Sequence, residues 1–447
     1  MSRLDKFNLD DTIVGVAAPT GGAISIIRIS GFKALEILRR VFVCKENRFE
    51  SHMVYYGWIM EGQNPVDEVL ATVMLAPRTF TRQDVVEINC HGGALVTQKV
   101  LNLIIAQGAR LADAGEFTKR AFLAGRIDLS RAEAVMDLIQ AGSHLAHKTA
   151  VSQLSGHLSA LINGCTEKLL SQLARIEMAI DYPDHEEAEI LYDDIKIGLE
   201  EALTEINKLL STASQGRVIR EGIKTAIVGR PNAGKSSLLN ALVGHQRAIV
   251  THVPGTTRDV LRETIDIGGV FLTLSDTAGI RQTNDIVELE GVARSLQEAQ
   301  EADLVLLVVD GSDPSQCQLE GFENWQNMLT IVNKWDLPQK IHIPEAVQVS
   351  AKNHEGIQKL KDKIKEIFSI KEIQYGQEIV TNTRHITLLQ KASQSLAMAV
   401  EGVEMRVFVD MLAIDIQSAL FALGEITGEN MDEELINKIF SEFCLGK

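Results

Sequence analysis

The segment GRPNAGKS, from Gly229 to Ser236, follows the apolar run KTAIVG and precedes the helix-forming segment SSLLNALVG. It fits the pattern G-x-x-x-x-G-K-[ST], in which glycines let backbone N–H groups close around phosphates at the N-terminus of a helix. In this strand–loop–helix context, the pattern predicts a nucleotide-binding domain with a mostly parallel, doubly wound sheet. We expect Lys235 to reach the β- and γ-phosphates and the hydroxyl of Ser236 to bind magnesium.

Four further segments follow in a fixed order: GTTRD (255–259), DTAG (276–279), NKWD (333–336) and SAK (350–352). Thr257 is a predicted magnesium ligand, and Asp276 is expected to hold the water shell of the metal. Asp336 offers two carboxylate oxygens to the adjacent ring N–H and amino groups of guanine, a donor pair that adenine lacks. The pattern therefore predicts GTP as the nucleotide. The predicted GTP-binding residues are Asn232, Ala233, Gly234, Lys235, Ser236, Ser237, Thr251, His252, Val253, Pro254, Gly255, Thr256, Thr257, Asp276, Thr277, Ala278, Gly279, Asn333, Lys334, Asp336, Ser350, Ala351 and Lys352.

The residue after DTAG separates this chain from Ras-type GTPases, which place a water-orienting glutamine there. Here the residue is Ile280, which cannot hydrogen-bond water. Either hydrolysis is slow or another group positions the water, and Glu288 in the acidic segment RQTNDIVELEGV is the candidate. The alternative is that Glu288 is one solvated acid among several. Asn232 and the segment THVPGTT are candidates to ligate a monovalent cation in place of an arginine finger.

Composition limits the protein class. With 447 residues, 45% apolar and 23% charged, the chain has the composition of an ordinary globular protein of two to four domains. The net charge of −16 disfavours non-specific coating of nucleic acid but leaves a local basic patch open. Five cysteines without a CxxC pair favour a reducing compartment. No signal peptide or membrane-spanning run is recognisable, so we expect a cytoplasmic protein.

Changes in hydrophobic period predict the domain organisation. Residues 12–110 alternate strands with two helical patterns, residues from about Ser130 are helical, strands return at Ile223, and helices return near Arg384. The predicted architecture is an N-terminal α/β domain, followed by a helical domain into which the doubly wound domain is inserted. The predicted boundaries are 1–118 for the α/β domain, 119–215 and 376–447 for the two parts of the helical domain, and 216–375 for the GTPase domain.

The whole chain resembles the bacterial tRNA-modification GTPase family MnmE (also called TrmE). The resemblance rests on Asn232, Ile280 and the segments DTIVGVAAPTGGAISIIRISG, GEFTKRAFLAGRIDLSRAEAV, ALGEITGE and IFSEFCLGK. It implies a homodimer formed through the N-terminal domain and a heterotetramer with an FAD-containing partner, MnmG. It also implies addition of an aminomethyl or carboxymethylaminomethyl group to carbon 5 of the wobble uridine in certain tRNAs.

The resemblance implies residue roles as well. Asn232 and the main chain of Thr251, Val253 and Thr256 would hold potassium, and Glu288 would orient the attacking water through a second water. A tetrahydrofolate derivative, 5-formyl or 5,10-methylene, would supply the one-carbon unit. The implied folate-binding residues are Arg28, Glu87, Arg126 and Lys447. This chain departs from the family pattern at two places. The family commonly has lysine where Arg126 stands, and its glycine loop is longer than APTGGA.

Cys444 in the terminal segment FCLGK has three readings. A prenylation box needs aliphatic residues after the cysteine, and here Gly446 and Lys447 close the chain, so a membrane anchor is disfavoured. A buried structural thiol is favoured by residue type. The resemblance adds a third reading, a catalytic candidate in a folate pocket reached by the C-terminal tail.

Two other functions compete with tRNA modification. A ribosome-assembly GTPase that binds rRNA would share Asn232 and Ile280, but no GXXG-type RNA-binding module follows SAK and no basic domain ends the chain. A membrane signalling switch would need a lipid on Cys444. The flanking segments therefore favour the modification enzyme.

Overall fold

The computed structural model describes residues 9–18, 20–181, 188–244, 264–274, 300, 302–317, 327–368, 378–443 and 446. The chain divides into two compact units. The first unit comprises Met1–Met136, Gln153–Thr166 and Phe421–Lys447, and the second comprises Asp137–Ser152 and Glu167–Leu420.

A seven-stranded sheet organises the first unit. Its strands are β1 (Ile13–Val16), β2 (Ile24–Ser30), β3 (Phe42–Cys44), β4 (Met53–Glu61), β5 (Asn64–Met74), β6 (Val85–His91) and β7 (Arg110–Leu111), in the order β3-β4-β5-β6-β2-β1-β7. Neighbouring strands are antiparallel except β1 and β7, which are parallel. The strands predicted for residues 12–110 are confirmed, but β3 and β7 are too short to show a period in the sequence.

Two helices, α1 (Ala34–Val41) and α2 (Ala94–Ala106), supply one side of the core of this unit. Their residues Ile37 and Ile104 share a buried cluster with Ile27, Ile59 and Ile88 of the sheet. Side chains on successive strand residues point to opposite faces, so Arg28, next to Ile27, lies on the other face. The sheet therefore carries its apolar core on one face and polar and exposed groups on the other.

The helical run predicted from Ser130 is divided. It forms α4 (Leu129–Gln140), α5 (His144–Ser155) and α6 (His157–Asp181), after the short helix α3 (Glu116–Leu123). Gly156 separates α5 from α6 with a φ of 93°, the left-handed conformation in which helices commonly end. The remaining helices of this kind are α7 (Ala188–Leu210), α8 (Ala213–Glu221), α11 (Thr383–Glu404), α12 (Val409–Thr427) and α13 (Glu433–Ser441).

Helices α7 and α11 stand before and after the doubly wound domain in the sequence, and they pack together. Ser393 Oγ donates to Asn207 Oδ1 over 2.8 Å, and Lys196 Nζ donates to Glu404 Oε1 over 2.7 Å. The predicted pairing of the two helical segments around an inserted domain is confirmed. Among the described helices, none is long and apolar enough to cross a membrane.

The inserted domain contains a six-stranded sheet in the second unit. Its strands are β8 (Ile223–Val228), β9 (Thr264–Asp266), β10 (Phe271–Leu274), β11 (Leu304–Asp310), β12 (Met328–Asn333) and β13 (Val347–Gln348), with helices α9 (Lys235–Val243) and α10 (Ile357–Ile367). The order is β13-β12-β11-β8-β10-β9, and only the β9–β10 pair is antiparallel. All residues of β11 are buried, as expected for a parallel strand covered on both faces.

Strand β8 lies between β10 and β11, so the chain continues to both sides of it. In open α/β sheets, ligands bind beyond the carboxyl ends of the strands at such a reversal of strand order. The GRPNAGKS segment starts one residue after β8 ends, which places it at this edge.

Candidate functional site

The phosphate loop has a backbone that only glycine can adopt at two positions. Gly229 has a φ of 149° and Gly234 a φ of 95°. A Cβ on Gly229 would lie 2.3 Å from the carbonyl oxygen of Val308, and one on Gly234 would lie 2.2 Å from Nδ2 of Asn333. The two glycines thus let the loop turn tightly against the neighbouring strand ends, and α9 begins immediately after Gly234.

The ammonium group of Lys235 places a positive charge inside this loop. Its Nζ donates to the carbonyl oxygens of Gly229 over 2.7 Å and of Arg230 over 3.0 Å. Burial lowers the pKa of Lys235, because the charged amine has lost part of its water shell. An anion in the loop would stabilise the charged amine, and the N-terminus of α9 adds partial positive charge at the same place.

Asn333 connects the phosphate loop to the SAK loop. Its side chain is buried, Nδ2 donates to the carbonyl oxygen of Ala233 over 2.9 Å, and Oδ1 accepts from the backbone N–H of Ala351 over 3.1 Å. The sequence predicts Asn333 as a GTP-binding residue, and that assignment stays a prediction. Its contacts with both loops fix the predicted base-binding and phosphate-binding segments relative to each other.

Asp336 lies exposed at the base-binding end of the site. Its Oδ1 accepts a hydrogen bond from Ser350 Oγ over 2.7 Å. That bond is the main cause that lowers the pKa of Asp336, with smaller contributions from Lys352 and Lys334, so the carboxylate is charged at neutral pH. The backbone of Ser350 pairs with Glu355 in both directions over 3.1 Å, which fixes the SAK loop below the carboxylate.

The structure adds Asp310, at the end of β11, to the residues predicted from the sequence. Its Oδ2 accepts from Lys334 Nζ over 2.6 Å, and its Oδ1 accepts from the backbone N–H and the hydroxyl of Ser312. Burial raises the pKa of Asp310, but the bonds from Lys334 and Ser312 outweigh it, so the net shift is downward. In the sequence, Asp310 is recognisable as the acid that ends the buried run DLVLLVVD. A charged residue at the carboxyl end of such a strand lies at the edge of the sheet where ligands bind.

We expect Asp310→Asn to raise the KM for GTP about three- to tenfold with a smaller change in kcat. Losing a hydrogen bond to a charged partner costs about 1.5–3 kcal/mol. Part of that cost reaches the GTP site, because Lys334, whose φ is 62°, is no longer held in its position. The measurement is GTP hydrolysis at varied GTP concentration. Asp313→Asn is the control and should leave KM unchanged, because Asp313 is a nearby half-buried acid whose carboxylate accepts only from Ser315 among the described contacts. An unaltered KM in Asp310→Asn would remove Asp310 from the site.

The first unit brings together two of the predicted folate-binding residues. Arg28 and Glu87 are register partners on β2 and β6, and Arg28 Nε donates to Glu87 Oε1 over 2.7 Å. Arg28 Nη1 also donates to the carbonyl oxygen of Gly446 over 3.3 Å, and its guanidinium lies 5.6 Å from the ring centre of Phe117. The described part of the C-terminal tail therefore lies beside this ion pair.

Arg126 is placed differently. Its guanidinium lies over the ring of Phe80, 4.8 Å from the centre, and no hydrogen bond to Arg28 or Glu87 is present among the described contacts. Phe80 packs on a buried cluster that includes Phe117, the ring beneath Arg28. Arg28 and Arg126 thus contact two aromatic rings of the same small cluster without contacting each other.

Many predicted site residues lie outside the described part of the chain. They include the catalytic candidates Glu288 and Cys444, the folate candidate Lys447, the segment from Thr251 to Thr257, and the segment from Asp276 to Gly279. Their assignments stay predictions. Among the described residues, no cluster of three or more His, Cys, Asp or Glu side chains is arranged to hold a metal ion.

Two family models match this chain. The model described as "GTP-binding protein TrmE N-terminus" matches residues 12–126, and the one described as "MnmE helical domain" matches residues 129–444. The chain belongs to the MnmE family. The two matched ranges cover both described units, so MnmE family membership applies to nearly the whole chain.

Full-length relatives in the MnmE family are similar throughout. A protein named "tRNA modification GTPase MnmE" from Streptococcus thermophilus is 46% identical over 449 residues, covering 98% of each chain. One of the same name from Lactococcus lactis is 47% identical over 456 residues, again covering 98% of each. The G domain of the T. maritima FeoB iron transporter is 29% identical and covers 32% of this chain and 98% of its own, with a TM-score of 0.25. That score is too low for the likeness to bear on fold or function.

Proposed function

We propose that this chain is a GTP-hydrolysing enzyme of tRNA modification. The observation that carries the proposal is the linkage through Asn333 of a phosphate loop to a base-binding loop that presents the charged carboxylate of Asp336. A carboxylate in this position accepts both hydrogen bonds that guanine offers and adenine does not. The relatives that are similar over 98% of the chain carry the name tRNA modification GTPase, which supports tRNA as the substrate.

Magnesium and potassium would serve the nucleotide end of the site. Ser236, the second residue of α9, and Thr257 would ligate magnesium, and Asp276 would hold its water shell. Asn232, exposed in the loop with a φ of 61°, would ligate potassium together with the main chain of Thr251, Val253 and Thr256. Hydroxyl, amide and carbonyl oxygens are the donors that these hard cations prefer, so the residue types fit both ions. Bound there, the ions would neutralise negative charge that develops on the phosphates.

Glu288 is the proposed water-positioning residue, because Ile280 cannot take that role. A carboxylate accepts hydrogen bonds from water and can orient it for attack on the γ-phosphate. Glu288→Gln should therefore lower kcat for GTP while leaving GTP affinity nearly unchanged.

The site in the first unit would hold a tetrahydrofolate derivative, 5-formyl or 5,10-methylene, as the one-carbon donor. Glu87 is a carboxylate of the type that accepts hydrogen bonds from the guanine-like edge of a pterin. Arg28, Arg126 and Lys447 would meet the carboxylates of the glutamate tail. Phe80, beneath Arg126, is half-buried and leaves some apolar surface for a flat ligand, whereas Phe117, beneath Arg28, is fully buried.

The position of the C-terminal tail beside Arg28 depends on the backbone conformation of Gly446. Its φ is 86°, and a Cβ would lie 2.2 Å from the carbonyl oxygen of Val16. We expect Gly446→Ala to displace the tail and weaken binding of 5-formyltetrahydrofolate about tenfold, with GTP hydrolysis unchanged, as titration calorimetry would measure. Gly62→Ala is the matched control, since Gly62 has a φ of 62° but no atom within 4 Å of a Cβ. Equal affinity in both variants would separate the tail from the folate site.

The protein is proposed to act as a homodimer and to form a heterotetramer with MnmG, the FAD-containing partner, in the cytoplasm. The sheet of the first unit exposes Val54, Tyr56 and Trp58 on one face of β4, while Tyr55 and Ile59 point into the core. Leu70, opposite Tyr56 on β5, extends this exposed face. A contiguous apolar face of this kind favours contact with a second copy.

The dimer has a direct test. Tyr56→Lys introduces a charge at the centre of the exposed face, and we expect the molar mass from light scattering to fall to that of one chain. Lys45→Tyr, which removes rather than adds a surface charge in the same unit, serves as the control and should stay dimeric. A Tyr56→Lys protein with unchanged mass would assign the dimer contact elsewhere.

Mass spectrometry of tRNA nucleosides tests the proposed function as a whole. Cells lacking this protein would be complemented with the wild type or with Cys444→Ser. If the deletion leaves the aminomethyl-type groups at the wobble uridine intact, the tRNA-modification proposal is wrong. If only the wild type restores them, Cys444 belongs to the working site, whereas full restoration by Cys444→Ser makes it a structural thiol.

A further inference from the structure

Three arginines of the first unit lie close together where the β5–β6 loop meets the turn between α3 and α4. Arg82, in the loop, has a φ of 58°, and its Nη1 donates to the carbonyl oxygen of Ala124 over 3.0 Å. Arg126 follows Ala124 by two residues and lies on Phe80. Arg131 is in the first turns of α4. We call Arg82, Arg126 and Arg131 the arginine cluster.

The arginine cluster lacks compensating acids. In the described parts of the chain, none of its three side chains forms an ion pair. Acids close in sequence have other bonds: Asp128 Oδ1 accepts from Ser130 Oγ and from the backbone N–H of Arg131 at the start of α4, and Asp84 Oδ1 accepts from the backbone N–H of Ala76. Burial is the first cause that lowers the pKa of Arg126, and the charges of Arg131 and Arg82 lower it further. The three cations repel one another, and a bound anion would relieve that repulsion.

Each guanidinium is held in place by a contact that leaves most of its donors available. Arg82 uses one N–H on Ala124, and Arg131 donates from Nε to the carbonyl oxygen of Leu154 over 3.0 Å. Arg126 is held by the face of a ring. A guanidinium has five N–H donors. These anchors therefore leave several N–H groups of each arginine available, in the forked arrangement that matches phosphate oxygens. Arg82 and Arg126 are exposed, and Arg131 is half-buried.

We propose that Arg82 and Arg131 of the arginine cluster bind backbone phosphates of the tRNA substrate, beside Arg126, which belongs to the proposed folate site. The inference rests on the proposed tRNA function and names the surface that would take the nucleic acid. A chain with a net charge of −16 repels RNA over most of its surface, so binding needs a local group of unpaired cations. The three arginines come from a loop and from helical segments. Cations spread over separate segments match successive phosphates of a nucleic-acid strand better than they match one small anion.

The test is the salt dependence of tRNA affinity. Full-length wild type, Arg82→Gln, Arg131→Gln and the double variant would be titrated with an unmodified tRNA transcript carrying uridine at the wobble position, between 50 and 250 mM KCl. Each lost phosphate contact should reduce the slope of log affinity against log salt by about 1, and the double variant should bind roughly tenfold or more weakly at 0.1 M salt. Arg40→Gln is the control, because Arg40 is exposed in the same unit but paired with Glu36, and its slope should match the wild type.

Three results would overturn the proposal. A double variant that binds tRNA with the wild-type slope would show that the cluster is not a phosphate surface, with the proposed tRNA function intact. Unchanged tRNA binding together with weaker binding of 5-formyltetrahydrofolate would assign the cluster to the carboxylates of the folate tail. A wild type without measurable tRNA affinity would overturn the proposed function and this inference together. GTP hydrolysis, measured in parallel, should be equal in all variants, since the cluster lies outside the second unit.

Discussion

Asp336→Asn is expected to weaken GTP binding by about 10²–10³-fold and to improve binding of xanthosine triphosphate. In the proposed complex the carboxylate would accept from two guanine N–H groups, and such charge-assisted bonds are worth about 1.5–3 kcal/mol each. The substitution replaces one acceptor by an amide donor, which opposes the amino group of guanine. Xanthine has a carbonyl at that position and accepts from the amide. Competition of both nucleotides against a fluorescent GTP analogue would measure the two affinities.

The control separates the identity of the carboxylate from its placement. Ser350→Ala removes the donor that fixes Asp336 at 2.7 Å but keeps both carboxylate oxygens. It should weaken GTP binding by about tenfold or less and give no preference for xanthosine triphosphate. Equal loss of GTP and xanthosine triphosphate binding in Asp336→Asn would show that the carboxylate supports the fold of the loop rather than recognition of guanine.

The parts of the fold that the sequence predicts are those with a local signal. GRPNAGKS is a short pattern, its glycines have the backbone that the pattern requires, and the long buried strands and the amphipathic helices show their periods directly. Strands β3, β7 and β9 were missed because each has only two or three residues, too few to display a period. Gly156 could be read either as a helix residue or as a break, so the helical run was predicted without its division.

The contacts that assemble the site were beyond reach of the sequence because they join distant residues. Asn333 bonds to Ala233, and Arg28 bonds to Gly446 from the other end of the chain. No local pattern encodes which carbonyl a side chain will reach after folding. The Asp310–Lys334 pair joins the ends of two neighbouring strands, so knowing the strand order is a precondition for predicting it.

The largest expected loss of stability comes from Arg120, which is 1% exposed in the first unit. All five of its N–H donors are used: by Glu116 Oε1, by the backbone oxygen and Oδ1 of Asp11, and by Oε1 of Gln83. Arg120→Met removes the charge at similar volume and leaves the two acids with Arg110 as their ion-pair partner among the described contacts. Breaking a buried pair from one side costs about 3–5 kcal/mol, so we expect that loss in the unfolding transition of this unit.

Two variants and the pH dependence make the Arg120 prediction specific. Arg120→Lys keeps the charge but has three donors rather than five, so its loss of stability should be intermediate, while Arg40→Met at an exposed pair should cost less than about 1 kcal/mol.

Burial raises the pKa of Glu116, but bonds from Arg110, the backbone of Asp113 and Arg120 outweigh it and the net shift is downward. The stabilisation is therefore present above the usual glutamate pKa of 4.5 and is lost as pH falls through the lowered value. Calorimetric scans between pH 7 and pH 3 should show the wild-type advantage over Arg120→Met shrinking with acid, and a constant difference would mean that packing, rather than the ion pairs, makes Arg120 important.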